Sequence, residues 1–93
     1  MVIRSFHHRG LKRLYERGDR SLIRPDLVDR VEVMLAQLDA AASVDAMRIP
    51  NYRLHALKGD LKNHWSVTVK TNWRLVFRFE EGHVHNVDLV DYH

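Results

Sequence analysis

His55 and Lys58 stand three residues apart at the end of a strand-like run, and Arg74 lies inside a second run between two apolar neighbours, Trp73 and Leu75. A histidine that titrates near neutrality, beside a fixed ammonium, is the minimum that proton transfer next to a phosphate requires. A guanidinium mounted on a strand is a good phosphate clamp, because its planar fork donates two parallel hydrogen bonds. His93 closes the sequence, and its own α-carboxylate should favour the imidazolium. Each residue also has an ordinary reading. Arg74 can be a surface arginine whose stem lies along the sheet. His55 and Lys58 can be merely exposed, and His93 can sit on a frayed end. By residue type alone these ordinary readings are the commoner ones.

Other chemistries find less support. His7 and His8 are adjacent, so on a helix their side chains would diverge by about 100°. His83 and His85 would share one strand face, but no third ligand stands at a convincing spacing. No metal site and no cofactor are therefore expected. The sequence has no phosphate-cradling glycine loop, no Ser/His/Asp signature and no cysteine.

The surrounding stretch, 52–79, holds both tryptophans and Arg53, Lys58, Lys62, Lys70, Arg74 and Arg78 against a single acid, Asp60. Residues 1–24 are the other basic block, with seven Lys or Arg against Glu16 and Asp19. The segments 25–48 and 79–93 are acidic. Net charge is only +3, so it is the segregation that suits a polyanionic partner, most often nucleic acid. The alternative is a solvated basic surface.

Ninety-three residues suffice for one core, and a single domain over 1–93 is expected. The absence of cysteine, of a signal-peptide-like apolar run and of any stretch near the ~20 apolar residues of a membrane span leads to the expectation of a cytoplasmic protein with no membrane association.

Positioning follows from periodicity. Residues 2–6 form a short apolar run that reads as a strand. Leu11, Leu14 and Tyr15 recur at helical spacing, Gly10 is small on the same side, and Gly18 ends a helix over about 8–17. Pro25 fits a first helical turn, with Asp26 and Asp29 placed to complement the helix dipole. Leu27, Val31, Met34, Leu35 and Leu38 make a one-sided stripe, extending this helix to about 41 or 42. Residues 43–49 read as a loop or single turn. Residues 53–57 read as a short strand. In 65–70, Trp65, Val67 and Val69 alternate with Ser66, Thr68 and Lys70. In 73–79, Trp73, Leu75 and Phe77 alternate with Arg74, Val76 and Arg78. A last strand covers 84–92. This predicts an α+β domain of order β-α-α-β-β-β-β, with two N-terminal helices on one face of a mostly antiparallel sheet. If Trp73, Leu75 and Phe77 face the helices, Arg74 and Arg78 project from the open face.

Several short motifs, in order, resemble one family. They are Ile3-Arg4-Ser5-Phe6, Leu38-Asp39-Ala40-Ala41, Arg53-Leu54-His55-Ala56-Leu57-Lys58-Gly59, Asn72-Trp73-Arg74 with Phe77, and Val87-Asp88-Leu89-Val90-Asp91-Tyr92-His93. Together they are similar to HigB-type toxins of the RelE/ParE superfamily, the killer halves of bacterial toxin–antitoxin pairs. The resemblance implies a RelE/ParE-like fold and a ribosome-dependent mRNA endoribonuclease that cuts in the decoding site without metal, by 2′-hydroxyl attack, arresting translation and growth. It implies His55, Lys58, Arg74 and His93 as catalytic residues, with Asp91 and Tyr92 beside them and Asn72 positioned to contact a base. It also implies a helix-turn-helix, HigA-like antitoxin, through which the pair binds its operator DNA. The competing readings are a non-catalytic ParE-like gyrase poison or nucleic-acid-binding module, and a toxin fold that only sequesters an antitoxin.

Overall fold

The computed structural model describes residues 2–59 and 62–92. Its elements run β1 (Val2–Ile3), α1 (Arg9–Arg17), α2 (Pro25–Ala40), a 3-10 turn (Val44–Met47), β2 (His55–Ala56), β3 (His64–Lys70), β4 (Trp73–Glu80) and β5 (His83–Asp91). The strands form one sheet in the order β1-β5-β4-β3-β2, with β1 parallel to β5 and every other pair antiparallel. The expected order of elements and the two-helix layer are both present.

Local chemistry accounts for the helix ends. His8 is not the first residue of α1 but its N-cap, accepting the Leu11 N–H on Nδ1 at 3.2 Å. Gly18 ends the helix at φ 67°, the left-handed conformation that glycine adopts without a Cβ penalty. Gly10 has a different reason to be glycine. A Cβ there would lie 2.9 Å from His8 Cε1 and 3.0 Å from the Leu22 carbonyl oxygen, so the α1 backbone seats directly on the loop before α2. Pro25 opens α2 as expected, and Arg24 holds Asp26 with two hydrogen bonds of 3.1 Å. Asp29 does not serve the helix end; it pairs with Arg20. The helix stops at Ala40, one or two residues earlier than its apolar stripe suggests, because Ala41 turns extended.

Leu27, Val31, Met34, Leu35 and Leu38 of α2 and Leu11 and Leu14 of α1 pack on Val67, Val69, Leu75, Phe77, Val84, Val87 and Leu89 of the sheet. Asp39 locks this layer at one corner: one carboxylate oxygen accepts both the Ile3 N–H at 3.0 Å and the Tyr15 hydroxyl at 2.9 Å. Arg30 locks another by donating to the Val69 carbonyl at 2.8 Å. Of the two readings of residues 43–49, loop or single turn, the turn is the one present, and Val44 and Met47 of this 3-10 turn are buried. The strand expected over 53–57 shortens to β2 because Arg53 has a positive φ of 52°, which breaks extended geometry. Two register shifts bend the sheet, one on β3 between Thr68 and Lys70 and one between β4 and β5 around Val76 and Arg78. The second centres on Asn86, at φ 57°. The last strand is therefore not evenly alternating: its buried positions are Val84, Val87 and Leu89. Among the described residues, no helix is long and apolar enough to cross a membrane.

Candidate RNA-binding face and active site

Both helices cover one side of the sheet, so the residues that alternate away from the core form the other, uncovered side. Cross-strand register sorts them into rows, because directly opposed residues share a face. His55 opposes Ser66, Ser66 opposes Val76, and Val76 opposes Asp88, giving one row across four strands. Thr68 opposes Arg74 and Arg74 opposes Val90, giving the next row. Beyond Val90, Tyr92 comes back to the same side, and the Arg74 guanidinium lies over its ring, 5.3 Å from the centroid. Such stacking is worth about 0.5–2 kcal/mol and fixes the plane of the guanidinium.

The sequence-predicted residues divide as follows. His55, Arg74 and Tyr92 come together on the open face. Lys58 is exposed in the segment that follows β2, three residues beyond His55. Asn72 is exposed in the β3–β4 turn, and its carbonyl accepts the Tyr92 N–H at 2.9 Å, so the turn pins the chain's end against β4. Asp91 is in register with Trp73, a residue packed against the core, and alternates onto the helix side rather than the Arg74 side. His93 lies outside the described residues. Arg78 also projects from the open face but is paired with Glu80. Arg74 has no carboxylate partner among the described residues.

Two residues on this face escaped the sequence reading. Ser66 was expected on a half-exposed surface, yet it is only 1% exposed, hemmed in by β2 and β4 on either side. Its Oγ, the Thr68 Oγ1 and the Arg74 Nε are all buried without a hydrogen-bond partner among the described residues. Three unmet polar atoms in neighbouring cross-strand positions are unusual for a folded domain, where such groups are normally paired. The signal was present in the small polar residues alternating with Val67 and Val69, but only the register with Arg74 gives it meaning. The second omission is the Asp88 carboxylate, 3.1 Å from His7 Nδ1 at the far end of the first row. Among the described residues, no three His, Asp or Glu side chains come together as a metal-holding group.

The architecture matches solved proteins over its full length. The YoeB–YefM complex from Staphylococcus aureus superposes with a TM-score of 0.61 at 15% identity, covering 100% of this chain and 99% of that one. A heterotetrameric YoeB–YefM toxin–antitoxin complex from the same organism gives 0.60 at 14% identity, with the same coverage. The fold is thus the RelE-like toxin fold. Sequence narrows it further. The family described as the RelE-like toxin of type II toxin–antitoxin system HigB matches residues 4–93. Endoribonuclease HigB of Proteus vulgaris is 40% identical over 92 residues, which span 99% of this chain and 100% of that protein. The chain belongs to the HigB family of RelE-like toxins.

Proposed function

We propose that this toxin is an endoribonuclease that cuts mRNA in the decoding site of the ribosome, by attack of a ribose 2′-hydroxyl on the adjacent phosphorus. The observation that carries the reading is the state of Arg74. Its guanidinium lies on the uncovered face, stacked on Tyr92, without a carboxylate partner among the described residues. A fixed, uncompensated fork of donors is complementary to a phosphate that arrives from outside. The Proteus vulgaris relative bears the name of an endoribonuclease along the whole alignment.

In the proposed reaction the 2′-oxygen forms a bond to phosphorus as the bond to the 5′-oxygen breaks. This leaves a 2′,3′-cyclic phosphate and a 5′-hydroxyl. The 2′-hydroxyl proton must leave, the phosphorane oxygens gain negative charge, and the departing 5′-oxygen must receive a proton. Arg74 and Lys58 supply the positive charge. His93 exchanges a proton with the 2′-hydroxyl, and His55 is the second proton carrier or an orienting group. Tyr92 stacks on or orients a base, and Asn72 contacts one from the turn. This scheme assigns no step to a metal ion. The neutralising partner is a helix-turn-helix antitoxin, through which the complex would reach its operator DNA. The likeness to YoeB–YefM complexes, titled as toxin–antitoxin assemblies, supports an antitoxin partner.

The test is to induce the chain in bacteria and map 5′-hydroxyl RNA ends. Cuts should fall within translated frames, carry 2′,3′-cyclic phosphates on the upstream fragment, and disappear in Arg74→Ala and His93→Gln at equal protein level. Growth arrest retained by both variants would sink the site assignment. Arrest without RNA cuts would favour a gyrase poison instead.

A further inference from the structure

Beyond the Arg74 row, toward β1, the open face carries a cleft of about 330 Å³ lined by His7, His64, Val76, Asn86 and Asp88. None of the five belongs to the proposed reaction. We infer that this cleft is a second subsite, which holds the base of a nucleotide next to the one cut. The inference rests on the endoribonuclease reading and assigns a subsite within it.

The chemistry of the lining favours a base over a phosphate. Val76, half-buried, supplies an apolar floor. Asn86 sits at the β5 bulge with φ 57°, which turns it out of the strand's regular alternation. Ser5 fixes it, donating its hydroxyl to Asn86 Oδ1 at 3.3 Å and accepting the Asn86 N–H on the same oxygen at 2.9 Å. With Oδ1 engaged, the amide NH₂ is the donor left for a ligand. His64 donates Nδ1–H to the Lys62 carbonyl at 3.0 Å, which fixes the ring and leaves Nε2 as its second polar atom. His7 Nδ1 is held by the Asp88 carboxylate at 3.1 Å, a contact that does not engage its Nε2. A directed amide donor, two oriented imidazoles and an apolar floor are what a nucleobase edge and face require. The Asp88 carboxylate at the same place repels phosphate.

The position fits a neighbouring nucleotide. Val76 and Arg74 are two residues apart on one face of β4, about 7 Å along the strand. An RNA strand whose phosphate sits on Arg74 therefore reaches the cleft within roughly one extended nucleotide step, which needs no distortion of the sheet.

The experiment is a titration of the full chain with each of the four nucleoside 5′-monophosphates, and separately with inorganic phosphate. It is followed by NMR on the histidine ring protons and the Asn86 side-chain amide. At least one nucleotide should shift the His7, His64 and Asn86 signals, and phosphate should not. Asn86→Gly removes the amide at a backbone position that glycine tolerates, and should weaken that nucleotide roughly three- to tenfold, the worth of one hydrogen bond. Asn86→Asp turns the donor into an acceptor and should change which base is preferred. In cells, both variants should alter base preference beside the cut. The inference is overturned if millimolar nucleotide leaves His7 and His64 unshifted, if phosphate shifts them equally, or if Asn86→Gly binds as tightly as the parent. Any of these outcomes, with 5′-hydroxyl ends still mapped, removes the subsite and leaves the endoribonuclease reading intact. Absence of the cuts removes that reading by itself.

Discussion

Arg74 shows how a residue's partners decide its role. Seven arginine or lysine ion pairs stitch the described surface, most of them between exposed groups of little energetic weight. Arg74 takes part in none of them and rests instead on Tyr92. Replacing it by lysine keeps the charge but loses the planar fork and much of the stacking. We expect Arg74→Lys to cut RNA at least about a hundredfold more slowly, with a thermal midpoint like that of the parent. A midpoint that falls together with activity would instead point to a structural role. Ser66 tests the same face from the stability side. Its buried hydroxyl has no partner among the described residues, so Ser66→Ala should be neutral or stabilising by up to about 1 kcal/mol in urea unfolding. A loss of more than that would show that the hydroxyl is satisfied.

At the scale of elements, the weak points are where backbones approach one another. The contact of α1 with the loop before α2 depends on the missing side chain at Gly10. Helix propensity alone would make Gly10→Ala stabilising by about 1 kcal/mol. The Leu22 carbonyl 3.0 Å from the new Cβ cannot swing away like a side-chain tip, so overpacking should win. We expect a net destabilisation of about 1–3 kcal/mol, read as a lower urea midpoint with an unchanged slope. The β5 bulge is a second such point. It moves Val87 and Leu89 onto the core while turning Asn86 outward, so one irregularity serves both packing and the uncovered face.

For the whole molecule, a single layer of helices on a single sheet leaves little redundancy. Phe77 lies fully buried at the centre of the core. Phe77→Ala should cost about 3–5 kcal/mol, a large part of the 5–15 kcal/mol typical of a folded domain, and should leave a measurable unfolded fraction near 37 °C. The pH response has a definite sign. Hydrogen bonds from Ser21 hold the Asp19 carboxyl below its ordinary value, and those from Arg24 do the same for Asp26. A depressed folded-state value stabilises the fold above the ordinary carboxylate range, and that contribution is lost as pH falls through the depressed value. Asp26 is exposed and Asp19 only half-buried, so the effect is small. Asp26→Asn should nonetheless flatten the acid limb of the stability–pH curve. Tyr15 acts at the other end. Burial, then its hydrogen bond to Asp39, raises its value, so its contribution is lost as pH climbs through that raised value.

The sequence by itself determined the layers. The helical stripe of α2, the glycine after α1 and the alternation of β3 and β4 are local patterns, and local geometry follows from them through period and sterics. The same alternation placed Arg74 opposite the core, and short motifs at the right spacing identified the family. Register, bulges and partner choice were decided only by the tertiary structure, because they depend on which strands lie side by side. Pairing put His55 in one row with Ser66 and Thr68 beside Arg74, buried two hydroxyls that the pattern left at the surface, and turned Asp91 away from the face where its neighbour Tyr92 stacks. It also brought His7, some eighty residues away in sequence, against Asp88. No periodicity encodes such a contact, since it exists only where a parallel first strand folds back beside the last.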